Sequence, residues 1–557
     1  MNGLSQAIEC HRQGRLKHAE TLYLSHLQAH PKDTEALRLL GMLYWQMSDF
    51  DRAKYFLEHA FTLGTPSARL LGNLGLIKQH YRQFDEAITF YRQSLALETN
   101  AVSLSNLGVV LRYKNDLAGS KATLSRAYAL LPNEESVLLN LCTTLRLMKQ
   151  YDHALQCMNH FCEHNELSAS ICSEKARIHL ENQSIRLAEQ WIQKALSINA
   201  HDPSIWINLA LIRKAVSDWD SALDALDQAL SLQPLLVEVY VQYAQILQAQ
   251  RLYDQALEAC REGLRYFPDD LALNKETVYV LSELDLLDEA ERLTDHLLRS
   301  DDDPDLWLQK GHLLLERYAL TEASTAFEHC LRLDPKRPQA QHFLDASKGR
   351  IPKKVNLDYV RGVFDDYAER FEQHLLHTLN YQVPEIFKEM LTRHVRKSAT
   401  AADLGCGTGL LGPLLKGYAD HLIGVDISPK MIAKARQRGM YDSLIINDIE
   451  IFLTTHLNFD LLAAGDVFNY LGPLEDVLAA IFSALRPSGL CIFTLEATAE
   501  PSDGVVLSPN GRFQHSMCHV KKILKDHPFN ILDEKWVKLR QEGKQWVRGI
   551  VVVLQKP

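Results

Sequence analysis

Nowhere in this 557-residue chain do some 18 apolar residues run uninterrupted, so no simple membrane-spanning helix is expected. The start, Met1-Asn2-Gly3-Leu4-Ser5-Gln6, has no basic stretch leading into an apolar one, and no secretory signal is expected. The 10 cysteines include no CxxC pair. That argues against a zinc site or a disulfide framework and predicts a reducing, cytoplasmic compartment. Positive charge is scarce in the first part of the chain. Of 60 basic and 70 acidic residues, 24 of each lie after residue 350, so the whole net charge of −10 falls within the first 350. Such a region is a poor track for nucleic acid, whose phosphates need Lys and Arg. It suits a basic or neutral peptide better.

What is present begins with repetition. Ala19, Ala53, Ala87, Ser120, Ala154, Ala188, Ala222, Ala256, Ala290 and Ala323 follow one another at intervals of 33 or 34 residues. Patterns such as Phe84-Asp85-Glu86-Ala87 and Tyr253-Asp254-Gln255-Ala256 lead into them. Twelve residues before most copies stands another small residue: Ala7, Gly41, Gly75, Gly108, Ala176, Ala210, Ala244, Gly311. Twelve after several stands a proline: Pro31, Pro132, Pro234, Pro268, Pro335. Each unit reads as two amphipathic helices that cross closely at the small residues, with proline ending the second. No single pair can bury its apolar face, so the pairs must stack into a solenoid.

The pattern resembles the tetratricopeptide repeat family in about ten copies over residues 1–346. By that family's phase, Asn73, Asn106, Asn140 and Asn208 fall on first helices, which line the concave face. The resemblance implies that this face binds a protein or peptide, and the amides are candidates to hold its backbone. Asn is also common at this position in the repeat consensus for structural reasons alone. Trp45, Trp191, Trp206, Trp219 and Trp307 read as packing between helices.

Lys348-Gly349-Arg350-Ile351-Pro352-Lys353-Lys354 breaks the helical period, and a linker is placed at 347–356. From 357 to 557 the signals alternate. Helices are expected over 357–379 and 384–395, and strands over 400–404, 421–425, 444–446, 460–464 and 490–495. Between the strands lie helical stretches near 410–415, 429–438 and 475–485. That order predicts a parallel sheet covered on both faces. The runs 531–539 and 546–554 read as two antiparallel strands at its edge.

Asp403-Leu404-Gly405-Cys406-Gly407-Thr408-Gly409 follows the first strand and opens a helix. Glycines let a ligand approach the backbone, and a helix start offers free N–H groups. Gly407 to Gly412 also satisfies GxGxxG, with Asp426 lying 19 residues after Gly407, so a dinucleotide fold competes at this point. More is present, however. Asp426 ends the second strand, Asn447-Asp448 follows the third, Gly465-Asp466 closes the fourth, and Leu485-Arg486-Pro487-Ser488-Gly489 precedes the fifth.

That series resembles the class I S-adenosylmethionine-dependent methyltransferases. Tyr359 to Phe371 and Gly511 to Ser516 resemble predicted bacterial methyltransferases that carry tetratricopeptide repeats. The resemblance implies an all-α repeat solenoid followed by a Rossmann-like α/β domain. It implies S-adenosyl-L-methionine as cofactor, with Asp403, Gly405, Gly407 and Gly409 near its amino-acid part. Asp426 would take the ribose, Ile427, Asp448 and Ile449 the adenine, and Tyr367 a lid contact. Asp466 is the candidate at the reacting centre; Asn469, Tyr470, Arg512 and His515 are acceptor-side candidates, and His374 and His377 candidate bases. Strand-end Asp residues also cap helices, so each acid has a structural alternative. The Asp/Asn-Pro-Pro-aromatic motif of amide and amino N-methyltransferases is absent, as is the Pro-Cys nucleophile of cytosine C5 enzymes. Phe513 stands where the resemblance leads one to expect tyrosine, and no metal-ligand set appears. The acceptor is left open between a protein recruited by the repeats and a small molecule, and a cofactor-binding scaffold without turnover is a further alternative.

Overall fold

The computed structural model describes every residue except 1, 2, 369, 370, 374, 376–378, 499–503 and 544. The chain divides into two compact units, Met1–Phe267 and Pro268–Pro557. The first is eight helix pairs, from Gly3–Arg12 with Leu16–Ala29 to Val237–Ala249 with Tyr253–Tyr266. Among the described residues no helix is long and apolar enough to cross a membrane.

The repeat signals act through sterics. A Cβ on Gly75 would stand 2.7 Å from the Tyr91 ring, and one on Gly41 2.7 Å from Leu57 Cγ. The partner helix therefore occupies the volume that a side chain would need. Many first helices start on residues whose side chains accept backbone N–H groups, such as Asp33, Ser67, Asn100, Ser168 and Asp202. Between the helices of each pair one residue takes the left-handed conformation. Only the first copy uses glycine, Gly14; the others use Ser48, Arg82, Asn115, Lys149, Gln183, Ser217, Arg251, Asp285 and Tyr318. A single left-handed residue reverses the chain tightly enough to bring the second helix back along the first.

The second unit holds two more pairs, Leu271–Glu283 with Leu287–Leu298 and Pro304–Glu316 with Leu320–Leu333. A last helix, Pro338–Ser347, follows them. Next come the helices Leu357–Tyr367 and Val383–His394 and then the sheet. Of the helix expected over 357–379, the described residues show Leu357–Tyr367 and the short Phe371–Gln373. The segment expected as a linker takes part in packing: Val355 is packed against Leu507 and Phe513.

Seven strands form one sheet in the order β3-β2-β1-β4-β5-β9-β8. They are β1 Ser398–Leu404, β2 Ala419–Asp426, β3 Ser443–Ile446, β4 Phe459–Ala464, β5 Leu485–Glu496, β8 Asn530–Glu542 and β9 Gln545–Gln555. β1 to β5 pair in parallel, and β9 pairs antiparallel to β5 and β8. β9 therefore slots between β5 and the edge strand β8. A small hairpin, β6 Val505–Leu507 with β7 Phe513–His515, and the helices Ile449–Thr455 and Met517–Ile523 had no counterpart in the sequence reading. β4 is buried at every position, as the central strand of a doubly covered sheet must be. Strand order reverses between β1 and β4, so their C-terminal ends flank a crevice.

Tyr318 is 80% exposed with φ +57°. A non-glycine residue there costs about 1–2 kcal/mol, partly offset in Tyr318→Gly by glycine's larger unfolded-state entropy. Tyr318→Gly is expected to raise the stability of this unit by about 0.5–1 kcal/mol, read from hydrogen exchange in the flanking helices of the full chain.

Candidate functional site

A cavity of about 560 Å³ opens at the C-terminal ends of β1 to β4. Gly405 and Gly407, both with positive φ, form its floor beside β1. Gly405 is confined, because a Cβ would meet Val467 at 2.6 Å. Gly407 is less confined, since a Cβ there would meet the Phe371 ring at an ordinary contact distance of 3.6 Å. Gly409 points away from the cavity toward Tyr441 and Arg438.

Asp426 and Asp448 reach the same cavity from β2 and β3. One Asp426 oxygen accepts the Gly407 N–H at 2.8 Å and the other the Ser428 N–H at 2.9 Å. The carboxylate thus ties the glycine turn to the next helix while lining the cavity. Burial pushes its pKa up to about 6, against the opposing pull of those N–H groups. Asp448 also caps the helix Ile449–Thr455 by accepting the Ile451 N–H at 3.0 Å. Ile427, Ile449 and Tyr367 line the walls. Asp365, on the helix Leu357–Tyr367, accepts from the Ser428 hydroxyl at 2.5 Å, which joins that helix to the end of β2.

Asp403 does not line the cavity. It is 1% exposed beneath the turn and accepts the Tyr441 hydroxyl at 2.7 Å. Burial raises its pKa to about 7. Tyr441 is the pillar of the turn: its ring stands about 3 Å from the Cβ positions of Gly409, Gly412 and Gly424. Arg438 adds a second tie, donating from Nε to the Thr408 carbonyl at 2.7 Å and pairing with Glu372 at 2.6 Å.

Residues 402–493 match the family model described as a methyltransferase domain, and residues 34–63 and 207–271 match models of the tetratricopeptide repeat. The chain combines tetratricopeptide repeats with a C-terminal methyltransferase domain. It is 27% identical over 141 residues to a malonyl-[acyl-carrier protein] O-methyltransferase of Salmonella typhimurium, covering 25% of this chain and 55% of that one. It is 32% identical over 99 residues to nodulation protein S of Sinorhizobium fredii, covering 17% and 45%. It is 24% identical over 228 residues to the BBSome complex member bbs-4 of Caenorhabditis elegans, covering 40% and 48%. The chain spans about half the length of the curated relatives it matches. A tetratricopeptide repeat protein of Parabacteroides merdae aligns over 44% of this chain and 98% of its own, at 16% identity and a TM-score of 0.40.

The inner end of the methyltransferase domain's cavity is a cluster of buried charge. Asp466 stands at φ +59° with its N–H on the Thr494 hydroxyl at 2.8 Å. Arg540, 2% exposed, donates from Nη1 to both Asp466 oxygens at 2.7 Å, from Nε to Glu542 at 3.2 Å, and from Nη2 to Glu496. Arg512 pairs with Glu542 and stands 3.1 Å from Glu496. Burial opposes the charge on Arg540, but the carboxylates around it outweigh that and hold its pKa well up. Three carboxylates against two guanidiniums leave one formal negative charge. Arg540, Glu496 and Glu542 carried no sequence signal, since each lies far along the chain from Asp466.

Of the acceptor-side candidates, Tyr470 and Arg512 line the cavity. Asn469 and His515 lie behind its wall. Asn469 donates to Glu496 at 3.2 Å. His515, fully buried, donates from Nε2 to the Phe468 carbonyl at 3.2 Å, and burial lowers its pKa to about 4. His374 and His377 lie outside the described residues. In the repeats, Asn140 and Asn208 donate to Ser105 and Ser173 of the preceding unit at 3.4 and 2.8 Å. Asn106 pairs with Tyr91, while the Asn73 amide nitrogen is buried without a partner. His160, Glu163 and His164 place ligand atoms within 4.8 Å of one another. All three are exposed, and His160 is engaged with Glu163 at 3.2 Å.

Arg540→Met would leave the buried Glu496 and the partly buried Asp466 and Glu542 facing Arg512 alone. It is expected to lower the opening free energy of the C-terminal half of β8, measured by hydrogen exchange, by about 2–4 kcal/mol.

Proposed function

We propose that this protein is an S-adenosylmethionine-dependent methyltransferase whose repeats recruit a protein partner or protein substrate. The observation that carries the reading is one cavity that joins an open glycine turn, two strand-end carboxylates and a net negative inner end. The residues fit the cofactor. Gly407 leaves room where a side chain would stand. Asp426 has lone pairs beyond the two engaged by backbone and would accept the ribose hydroxyls. Ile427 and Ile449 would flank the adenine, with Asp448 accepting from its amino group. Tyr367 and the helix that carries it would cover the site. S-adenosylmethionine, when bound, supplies a methyl group activated by a sulfonium charge.

This chain's own contributions are alignment, exclusion of water and a matched field. The excess negative charge shared by Asp466, Glu496 and Glu542 suits a cationic donor. Arg540 holds Asp466 in place, so that match exists before any ligand arrives. The apolar walls, including Val360, Val363, Phe364 and Leu471, keep water from the reacting centre.

For the acceptor we favour a protein or a group borne on a protein. The repeat array supports this, as does the kind of acceptor named for the Salmonella relative. A small-molecule acceptor, with the repeats serving localisation, is the alternative. A scaffold that binds cofactor without turnover is less well supported, because the glycine turn and both strand-end acids are present together.

Calorimetry on the full chain is expected to give roughly micromolar affinity for S-adenosylmethionine. Asp426→Ala should weaken it by about 1.5–3 kcal/mol through lost charge-assisted hydrogen bonds. A protonated Asp426 has lost acceptor capacity, and its pKa is about 6. Affinity should therefore rise from pH 5 to pH 7, and Asp426→Asn should flatten the profile. No binding, or preference for a nicotinamide dinucleotide, would sink the assignment.

Tritiated cofactor in a cell lysate should label a macromolecule with the full chain and not with Asp426→Ala. Label confined to small molecules would favour the alternative acceptor.

A further inference from the structure

Where the last repeat helix meets the methyltransferase domain, a histidine touches two residues whose neighbours in the chain line the cavity. His342, on Pro338–Ser347, is 6% exposed. Its ring stacks on Tyr359, with centroids 4.1 Å apart and planes at 22°. Its Nε2 lies 2.8 Å from the Gly511 carbonyl oxygen. A carbonyl only accepts, so His342 carries a proton on Nε2 and donates it there.

Both partners lead into the site. Tyr359 lies in the first turn of Leu357–Tyr367, the helix that contributes Val360, Val363, Phe364 and Tyr367 to the cavity. Gly511 forms the turn of the β6–β7 hairpin, where its N–H donates to the Ser508 carbonyl at 2.9 Å. The next residue, Arg512, lines the cavity and pairs with Glu542 and Glu496. Phe343 seals the junction: its ring lies 6.1 Å from that of Tyr359, and a Cβ on Gly511 would approach it to 3.1 Å. Phe513, completely buried, packs with Ala346 and Leu507.

The covering helix and the hairpin are separated by about 150 residues in sequence and make no common strand pairing. They meet where a Cβ on Gly511 would stand 3.2 Å from the Tyr359 hydroxyl, and the last repeat helix packs against both partners at that junction. We propose that His342 is a positioning residue for the methyltransferase cavity, setting the covering helix through its ring and the Arg512 hairpin through its N–H. The repeats are in this sense a structural part of the site as well as a recruiting surface. This rests on the methyltransferase reading for its functional meaning, but its structural content is measurable without cofactor.

Hydrogen exchange on the full chain tests it, comparing residues 357–367 and 505–515 with β1 as control. His342→Ala is expected to speed exchange at least 10-fold in both segments and to leave β1 unchanged. His342→Gln, which keeps an N–H donor, should restore protection at 505–515 alone. His342→Phe, which keeps a stacking ring, should restore it at 357–367 alone. Wild-type rates in both segments of His342→Ala would overturn the proposal, as would Gln and Phe variants that match Ala with β1 accelerated equally. Should His342→Ala fail to fold, the Gln and Phe variants carry the same comparison. Calorimetry then separates the two readings. Loss of S-adenosylmethionine affinity in His342→Ala accompanies the expected exchange pattern, whereas no binding by wild type strikes the cofactor assignment and leaves the exchange result to judge His342.

Discussion

The methyltransferase domain depends on one buried guanidinium. Arg540 gathers Asp466 from the end of β4, Glu496 from the end of β5 and Glu542 from its own strand. Without it, carboxylates from separate strands would share a dry site, where like charges repel strongly. With it, β8 is tied to the two parallel strands it does not pair with, and Asp466 is held in a left-handed conformation that few non-glycine residues adopt. Asp466, Arg540 and Glu542 also line the cavity, so the contacts that organise the sheet's ends form part of its wall.

A second constraint is steric and acts at the glycine turn. Gly409, Gly412 and Gly424 are glycines because Tyr441 occupies the volume beside all three. The phenol is in turn fixed by Asp403. The acid that begins the turn thus supports it from below, while Asp426 supports it from the side facing the cavity. The repeats use the same device: Gly41 and Gly75 make room for Leu57 and Tyr91. In both halves of the chain, close approach is obtained by removing a side chain opposite a large one.

The fold and the glycine-turn end of the cavity were legible in sequence. Repeats declare themselves by their period, because each unit solves the same packing problem. A parallel sheet declares itself by alternation, and a ligand-binding turn by glycines between a strand and a helix. Asp426 and Asp448 stood out because chain order places strand ends predictably. The end of the cavity around Asp466 was less legible. Asn469 and His515 share a segment or a motif with Tyr470 and Arg512, yet backbone direction sends them behind the wall. The helix Ile449–Thr455 and the β6–β7 hairpin are too short to impose a period.

By itself, then, the sequence determined what rests on local spacing: the repeats, the strand–turn–helix order and the acids at strand ends. Tertiary structure alone decided three pairings, Arg540 with Asp466 across 74 residues, Tyr441 with Asp403 across 38, and His342 with Gly511 across 169. The physical reason is that burial and hydrogen bonding are satisfied in space. An arginine reads as a solvated charge, a tyrosine as core and a histidine as a helix residue until the fold brings each to the partner it serves.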